Sequence, residues 1–388
     1  MKKTLAFILV VIFTIALVLT EASGDVSGDY TYDVKSDQTA TITRYRGDEP
    51  SIVLPTVLES YIVTEIDTSA FTLCDTLTSV TLSKTIRTIG NYTFAFCSTL
   101  SSIEVSPDNT YYSSIDGVLF RKADKTLLTY PAGKPDTTYS VPYGTLAIAD
   151  DAFWNCESLT SVSLPDTLLT IGSSSFYGCN GLTSVTLPSS LQTVGTGIFA
   201  ACTSLTSLTI SPSNTVFTTI DGILFRTEDK ALLAYPAGKT ATAYTVPQGI
   251  QAIGGGAFSG CQNLVSITLP DTLLSIGDAA FTGCTSLTSI NALNSFPPVT
   301  ISDGNAGNLL TSNILPEALT SIGDYAFWGC SALATLGFSD TLQHIGNNAF
   351  YNCDALTLIV PLNSYAYTYA MDNEISYLYT NTLDWLNP

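Results

Sequence analysis

Leu159-Thr-Ser-Val-Ser-Leu-Pro-Asp-Thr-Leu-Leu-Thr-Ile-Gly-Ser-Ser-Ser-Phe-Tyr-Gly-Cys179 is one copy of a unit that recurs along this chain. It closes on Phe-x-x-Cys, and all nine cysteines stand in that pattern: Phe71/Cys74, Phe94/Cys97, Phe153/Cys156, Phe176/Cys179, Phe199/Cys202, Phe258/Cys261, Phe281/Cys284, Phe327/Cys330 and Phe350/Cys353. Successive cysteines lie 23, 59, 23, 23, 59, 23, 46 and 23 residues apart. The unit is therefore 23 residues. Each 59 is one unit plus an insertion of 36, and the 46 is two units with one degenerate copy between them. A fixed period between about 20 and 50 residues marks a solenoid, in which each copy contacts chiefly its neighbours and none buries its apolar face alone.

Within the quoted copy the apolar positions of Leu159-Thr-Ser-Val162-Ser-Leu164 are one, four and six. Side chains alternate across a strand, so a short strand turns Val162 and Leu164 inward and Ser161 and Ser163 outward. Pro165 ends it. Leu168, Ile171 and Phe176 then carry the chain back through the core. The glycine after the isoleucine, or after Val194 in one copy, at 90, 172, 195, 254, 277, 323 and 346, suits a turn that a side chain would crowd. Stacked units of this kind make a parallel β ribbon on one face and short helical or irregular turns on the other.

The unit Ile-Gly-x-x-Ala-Phe-x-x-Cys-x-x-Leu-Thr-Ser-Val-x-Leu-Pro resembles the BspA-like leucine-rich repeat family over residues 50 to 362. The resemblance implies an α/β repeat fold, a right-handed leucine-rich-repeat solenoid with 23-residue turns, a parallel β ribbon and two inserted β-hairpins. It also implies a secreted or cell-surface role, adhesin-like in several relatives, and no enzyme activity. The ligand does not carry over, because repeat scaffolds host unrelated partners on one frame.

The chain opens Met1-Lys2-Lys3 and then carries no charge from Thr4 to Thr20, followed by Ala22-Ser23-Gly24. That order reads as a signal peptide over 1–24, and the apolar run is short of the about 20 residues a spanning helix needs. Residues 25–50 alternate in two runs and read as an N-terminal β cap on a solenoid spanning 51–362. Hairpin insertions are expected near 107–140 and 212–245 and an irregular coil near 291–313. Residues 363–388 read as a C-terminal cap. In the extracellular compartment cysteines commonly pair. Here the count is odd and each cysteine holds the same repeat position, so buried free thiols used as small apolar side chains are expected.

Formal net charge is −19, and no lysine or arginine follows Lys239. Such a surface repels phosphate backbones and anionic headgroups, which argues against nucleic acid and against direct docking on anionic membranes. No metal or cofactor is expected: the cysteines form no Cys-x-x-Cys pair, and His344 is the single histidine. No Gly-x-Ser-x-Gly elbow, phosphate-binding glycine loop or His-Glu-x-x-His motif occurs, so no catalytic residues are assigned.

Binding is then sought in residues that the repeat can do without. The position after the phenylalanine carries Trp154, Tyr177, Trp328 and Tyr351, against small residues in the other copies. The two insertions share Ile-Asp-Gly-x-Leu-Phe-Arg and Tyr-Pro-Ala-Gly-Lys at an offset of 105 residues. They contribute Arg121, Lys122 and Tyr130 in the first and Arg226, Lys230 and Tyr235 in the second, as basic-aromatic projections on an acidic body. The outward Ser/Thr ladder of the ribbon reads as a hydrated face. The expected partners are extracellular proteins or glycans. A structural spacer within an extracellular assembly is the alternative.

Overall fold

The computed structural model describes residues 24–293, 299–300, 309–310 and 313–380. The signal-peptide stretch, most of the irregular copy near 291–313 and the last eight residues lie outside the described residues. The protein is a β-solenoid of 23-residue coils in two compact units, Met1–Pro135 with Asp151–Cys156 and Asp136–Asp150 with Glu157–Pro388. No helix among the described residues is long and apolar enough to cross a membrane.

The first unit begins with an antiparallel meander, Asp25–Ser27, Tyr30–Val34 and Thr39–Tyr45, whose last strand runs parallel to Tyr61–Ile66. The ribbon starts at Ser51–Val53 and continues through Ser79–Leu82 and Ser102–Val105, with Ile52, Val80 and Ile103 in one row. Tyr45 stacks on Phe71 at 5.3 Å, and Phe71 in turn meets Phe94 at 5.5 Å. A solenoid end exposes the edge of its core. Here a tyrosine from the meander covers the first phenylalanine rung.

In the second unit each coil contributes two strands. The longer ones pair in parallel along the ribbon, as in Ser184–Leu187 with Ser207–Ile210 and in Ala243–Thr245, Ser266–Leu269 and Ser289–Ala292. A second ladder two residues wide runs through Ala147–Ile148, Thr170–Ile171 and Thr193–Val194, then Ala252–Ile253, Ser275–Ile276, Ser321–Ile322 and His344–Ile345, with the isoleucine of the Ile-Gly step, or its valine or Ile148 counterpart, at its inner position. The returning face is made of turns, and Tyr365–Asp372 is the helix of the C-terminal segment. The three-residue spacing between phenylalanine and cysteine is too short for a helix and suits a turn closed by cysteine N–H to phenylalanine C=O, at 3.3 Å for Cys179 and Phe176. The residue before each cysteine is left-handed in all nine copies, with φ between 53° and 76°. That conformation accounts for the glycine at this position in Gly178, Gly260, Gly283 and Gly329.

Each insertion is a hairpin extended by one strand. In the second unit Phe217–Ile220, Ile223–Arg226 and Ala231–Ala234 run antiparallel, and the last of them joins the second ladder beside Ala252–Ile253. The irregular copy is skipped by that ladder, since Ser275–Ile276 pairs directly with Ser321–Ile322, but it supplies the ribbon with a bridge from Ile314 to Gly337.

Phenylalanines and cysteines form two columns within the core of each unit. Phe258, Phe281, Phe327 and Phe350 stack at 4.9, 5.1 and 5.4 Å with interplanar angles of at most 10°. All nine thiols are free, and eight are buried. They do more than fill space. Cys202 Sγ donates to the carbonyl of Phe176 at 3.0 Å, Cys284 to Phe258 at 3.1 Å and Cys353 to Phe327 at 3.0 Å, each satisfying a buried acceptor of the preceding coil.

Burial pushes the thiols of Cys202, Cys261 and Cys330 well up and that of Cys353 up to about 12, whereas a hydrogen bond from Cys97 lowers Cys74. Burial likewise pushes the Tyr235 phenol up to about 12. The unfolded chain releases thiol protons near 9.0, and the folded chain holds that of Cys353 to about 12. The stability this linkage contributes is complete below about pH 9 and is lost as pH rises toward 12. The melting temperature is expected to fall between pH 8 and pH 11. At pH 8, iodoacetamide is expected to label Cys74 first and the other eight only after denaturant is added, as read by mass spectrometry. Equal labelling of all nine in the native protein would contradict a buried column.

Candidate functional site

The structure disperses the ten residues that the sequence singles out. Tyr130 and Tyr235 are core, at 2% and 4% exposure. Each takes the phenylalanine rung of its coil: Tyr130 stacks on Phe153 at 5.1 Å and Tyr235 on Phe258 at 5.0 Å. Their carbonyls accept from Cys156 and Cys261, as a phenylalanine carbonyl does elsewhere. Trp328 is also buried, at 5%. These three are corrections to the sequence reading. Tyr-Pro-Ala-Gly-Lys is the end of an insertion that has re-entered the solenoid, so its tyrosine faces inward.

Trp154 is half-buried and packs edge-on against Phe96 at 5.9 Å. Tyr177 is half-buried, and burial pushes its phenol up. Tyr351 stands out at 55% exposure.

The insertions are less basic at their tips than their composition suggests. Arg121 grips Asp124 through Nε at 3.0 Å and Nη2 at 2.7 Å, and Arg226 grips Asp229 in the same way. These bonds hold both carboxyls below the usual carboxylate range. Lys122 Nζ donates to the Asn109 carbonyl at 2.6 Å but its side chain remains exposed, as does that of Lys230. Phe120 and Phe225 are buried under the hairpins. What remains exposed is Lys122 and Lys125 on the first insertion and Lys230 on the second, each beside a neutralised arginine, while Lys134 and Lys239 are half-buried and donate to the carbonyls of Asp116 and Asp221.

Two concavities lie in the second unit. One is on the ribbon, where Thr138–Ser140 with Ser161–Ser163 forms one sheet and Ser184–Leu187 with Ser207–Ile210 another. The ladder breaks between them, and the resulting groove of about 590 Å³ is lined by Ser161, Ser163, Ser184, Thr186, Thr209 and Asp166 among others. The other is a pocket of about 290 Å³ at the last Phe-x-x-Cys turn, walled by Asn348, Tyr351, Asn352, Asp354, Asn373 and Glu374 over a floor of Phe350, Cys353 and Tyr369. Tyr351 is the one residue of the ten that lines either concavity. The five polar residues around it escaped the sequence reading. Three of them carried a signal, because Asn348, Asn352 and Asp354 stand where the preceding copy has Tyr325, Gly329 and Ser331. Among the described residues no cluster of three or more His, Cys, Asp or Glu side chains converges as a metal site would require.

Comparison with protein families matches residues 52–131, 137–230, 235–357 and 300–376 to the family described as BspA type leucine rich repeat region, six copies. Among solved structures, a leucine rich cell surface protein from Faecalibacterium prausnitzii A2-165 is 26% identical, with 92% of this chain and 98% of that one covered and a TM-score of 0.51. The pneumococcal vaccine antigen PcpA is 20% identical over 87% of this chain and 81% of its own, with a TM-score of 0.54, a likeness of fold. Comparison with curated proteins finds no match.

Proposed function

The chain belongs to the BspA-type leucine-rich repeat family, and from that premise we propose that it is a non-enzymatic binding protein of the secreted or cell-surface kind, adhesin-like, recognising proteins or glycans outside the cell. The observation that carries the reading is the division of labour within each coil. Residues common to the copies are spent on the phenylalanine, cysteine and isoleucine columns, and several residues that differ between copies, Tyr351 and its polar neighbours among them, line a concavity at the surface. A scaffold of this build presents side chains and leaves few of them free to be brought together for catalysis. The uncharged stretch from Thr4 to Thr20 and the cell-surface description of the F. prausnitzii structure support the location.

Of the residues chosen from the sequence, Tyr351, Lys122 and Lys230 remain in the proposed contact surface, with Trp154, Tyr177, Arg121 and Arg226 as half-exposed contributors. The test is a screen of the protein against immobilised matrix proteins, mucins and a panel of neutral and sialylated glycans. Saturable binding to a member of the panel is expected. No binding anywhere, together with self-association in light scattering, would favour a structural spacer instead.

A further inference from the structure

The turns of Phe71, Phe176, Phe258, Phe281 and Phe327 each donate three backbone N–H groups to carbonyls of the coil that follows. In one coil the N–H groups of Ser174, Phe176 and Gly178 donate to the carbonyls of Thr196, Ile198 and Ala200 at 2.9, 3.0 and 3.0 Å. Near the end, Tyr325, Phe327 and Gly329 donate in the same way to Asn347, Ala349 and Tyr351, at 3.0, 2.8 and 2.9 Å. The equivalent donors of the last turn are the N–H groups of Asn348, Phe350 and Asn352. No carbonyl among the described residues accepts from them.

The C-terminal segment covers this turn only in part. Tyr369 of the helix meets Phe350 edge-on at 6.1 Å and donates its hydroxyl to the Gly346 carbonyl at 3.3 Å. Asn373 then ends the helix by bonding back to the Tyr369 carbonyl at 3.0 Å, and Glu374 turns the chain aside with a φ of 54°. What is left over the turn is the pocket of about 290 Å³. Three donors that the repeat aims at an acceptor therefore face a concavity.

We propose that this pocket is a saccharide subsite for a neutral sugar, an inference that rests on the binding role above and names its chemistry. Hydroxyl groups both accept and donate, which matches a wall offering backbone N–H donors, the carboxylates of Asp354 and Glu374 and the amides of Asn348, Asn352 and Asn373. Tyr351 supplies the flat aromatic face on which the apolar face of a sugar ring rests. The volume sits at the lower edge of the about 300–1,000 Å³ usual for small-molecule clefts, room for a sugar ring and not for a folded segment. Two carboxylates with no lysine or arginine after Lys239 repel sialylated and uronic sugars, so the ligand is uncharged.

The experiment is amide NMR of the ¹⁵N-labelled full chain titrated with N-acetylglucosamine, galactose, mannose and sialyllactose. One or more of the three neutral sugars is expected to shift the Asn348, Phe350 and Asn352 amides in a saturable way, and sialyllactose is not. Tyr351 is exposed, so Tyr351→Ala keeps the fold; it should weaken binding about tenfold or more, while Tyr351→Phe stays within about threefold of the parent. No shift at those amides with any neutral sugar, a stronger response to sialyllactose, or an unchanged affinity in Tyr351→Ala would each overturn the assignment. The same variant in the matrix and mucin screen separates the two readings: adhesion retained by Tyr351→Ala with no sugar response removes the subsite and leaves the binding role standing.

Discussion

Gly195→Ala should destabilise the second unit by about 3 kcal/mol or more, a larger effect than the replacement of one hydrogen by a methyl group suggests. Gly195, which follows Val194, sits against the backbone of the coil below, as do Gly172, Gly277, Gly323 and Gly346 after their isoleucines. A Cβ at Gly195 would be driven into the backbone nitrogen of Ser173 and lie 2.6 Å from its Cα. Neither atom can yield, because Gly195 N–H is bonded to the Ile171 carbonyl at 2.8 Å and the second ladder fixes the spacing of the coils. Gly254 is the internal control. The chain beneath it comes from the insertion, and a Cβ there meets nothing closer than the Leu232 carbonyl oxygen at 3.1 Å. Gly254→Ala should cost about 1 kcal/mol or less. Chemical denaturation of the two variants, with hydrogen exchange at the coils on either side, provides the comparison. Equal losses would mean that the glycine is there for its turn and not for coil-to-coil contact.

Removing a ring from the middle of the phenylalanine column should cost about 3–5 kcal/mol in Phe281→Ala. Phe281 has no exposed surface and lies between Phe258 at 4.9 Å and Phe327 at 5.1 Å. The cavity would open under both neighbours. Because each coil is stabilised by the interfaces it shares, the loss of protection should extend to the strands Ser266–Leu269 and Thr335–Gly337, while Phe281→Leu, which keeps most of the volume, should cost about 1.5 kcal/mol or less. Protection lost only in the coil of Phe281 itself would show that the coils are stabilised independently of one another.

The site was legible only in fragments, for a physical reason that the individual residues make clear. Tyr351, Trp154 and Trp328 occupy one repeat position and are equivalent in the sequence, yet one is exposed, one half-buried and one in the core. Their burial depends on what the adjoining coil places over them, which the position within the repeat does not encode. Tyr130 and Tyr235 look like projections because they stand in insertions. Only the parallel pairing of Ala231–Ala234 with Ala252–Ile253 reveals that the second of those insertions has re-entered the stack, which turns its tyrosine into a rung.

The 23-residue period, the inward apolar positions and the buried cysteine column follow from the sequence by itself, because repetition forces equivalent residues into equivalent places. The sequence also marks where the pattern lapses, at the two insertions and in the copy near 291–313. It does not say how those lapses are absorbed. The tertiary structure decides that the second ladder passes from Ile276 straight to Ile322 and that the ribbon breaks between Ser163 and Ser184. It also leaves the donors of Asn348, Phe350 and Asn352 without the following coil that the turns of Phe258, Phe281 and Phe327 receive. The period is a local property carried by each copy. The ends and the breaks are set by which neighbour is there to accept a hydrogen bond, and that is known only once the chain has stacked.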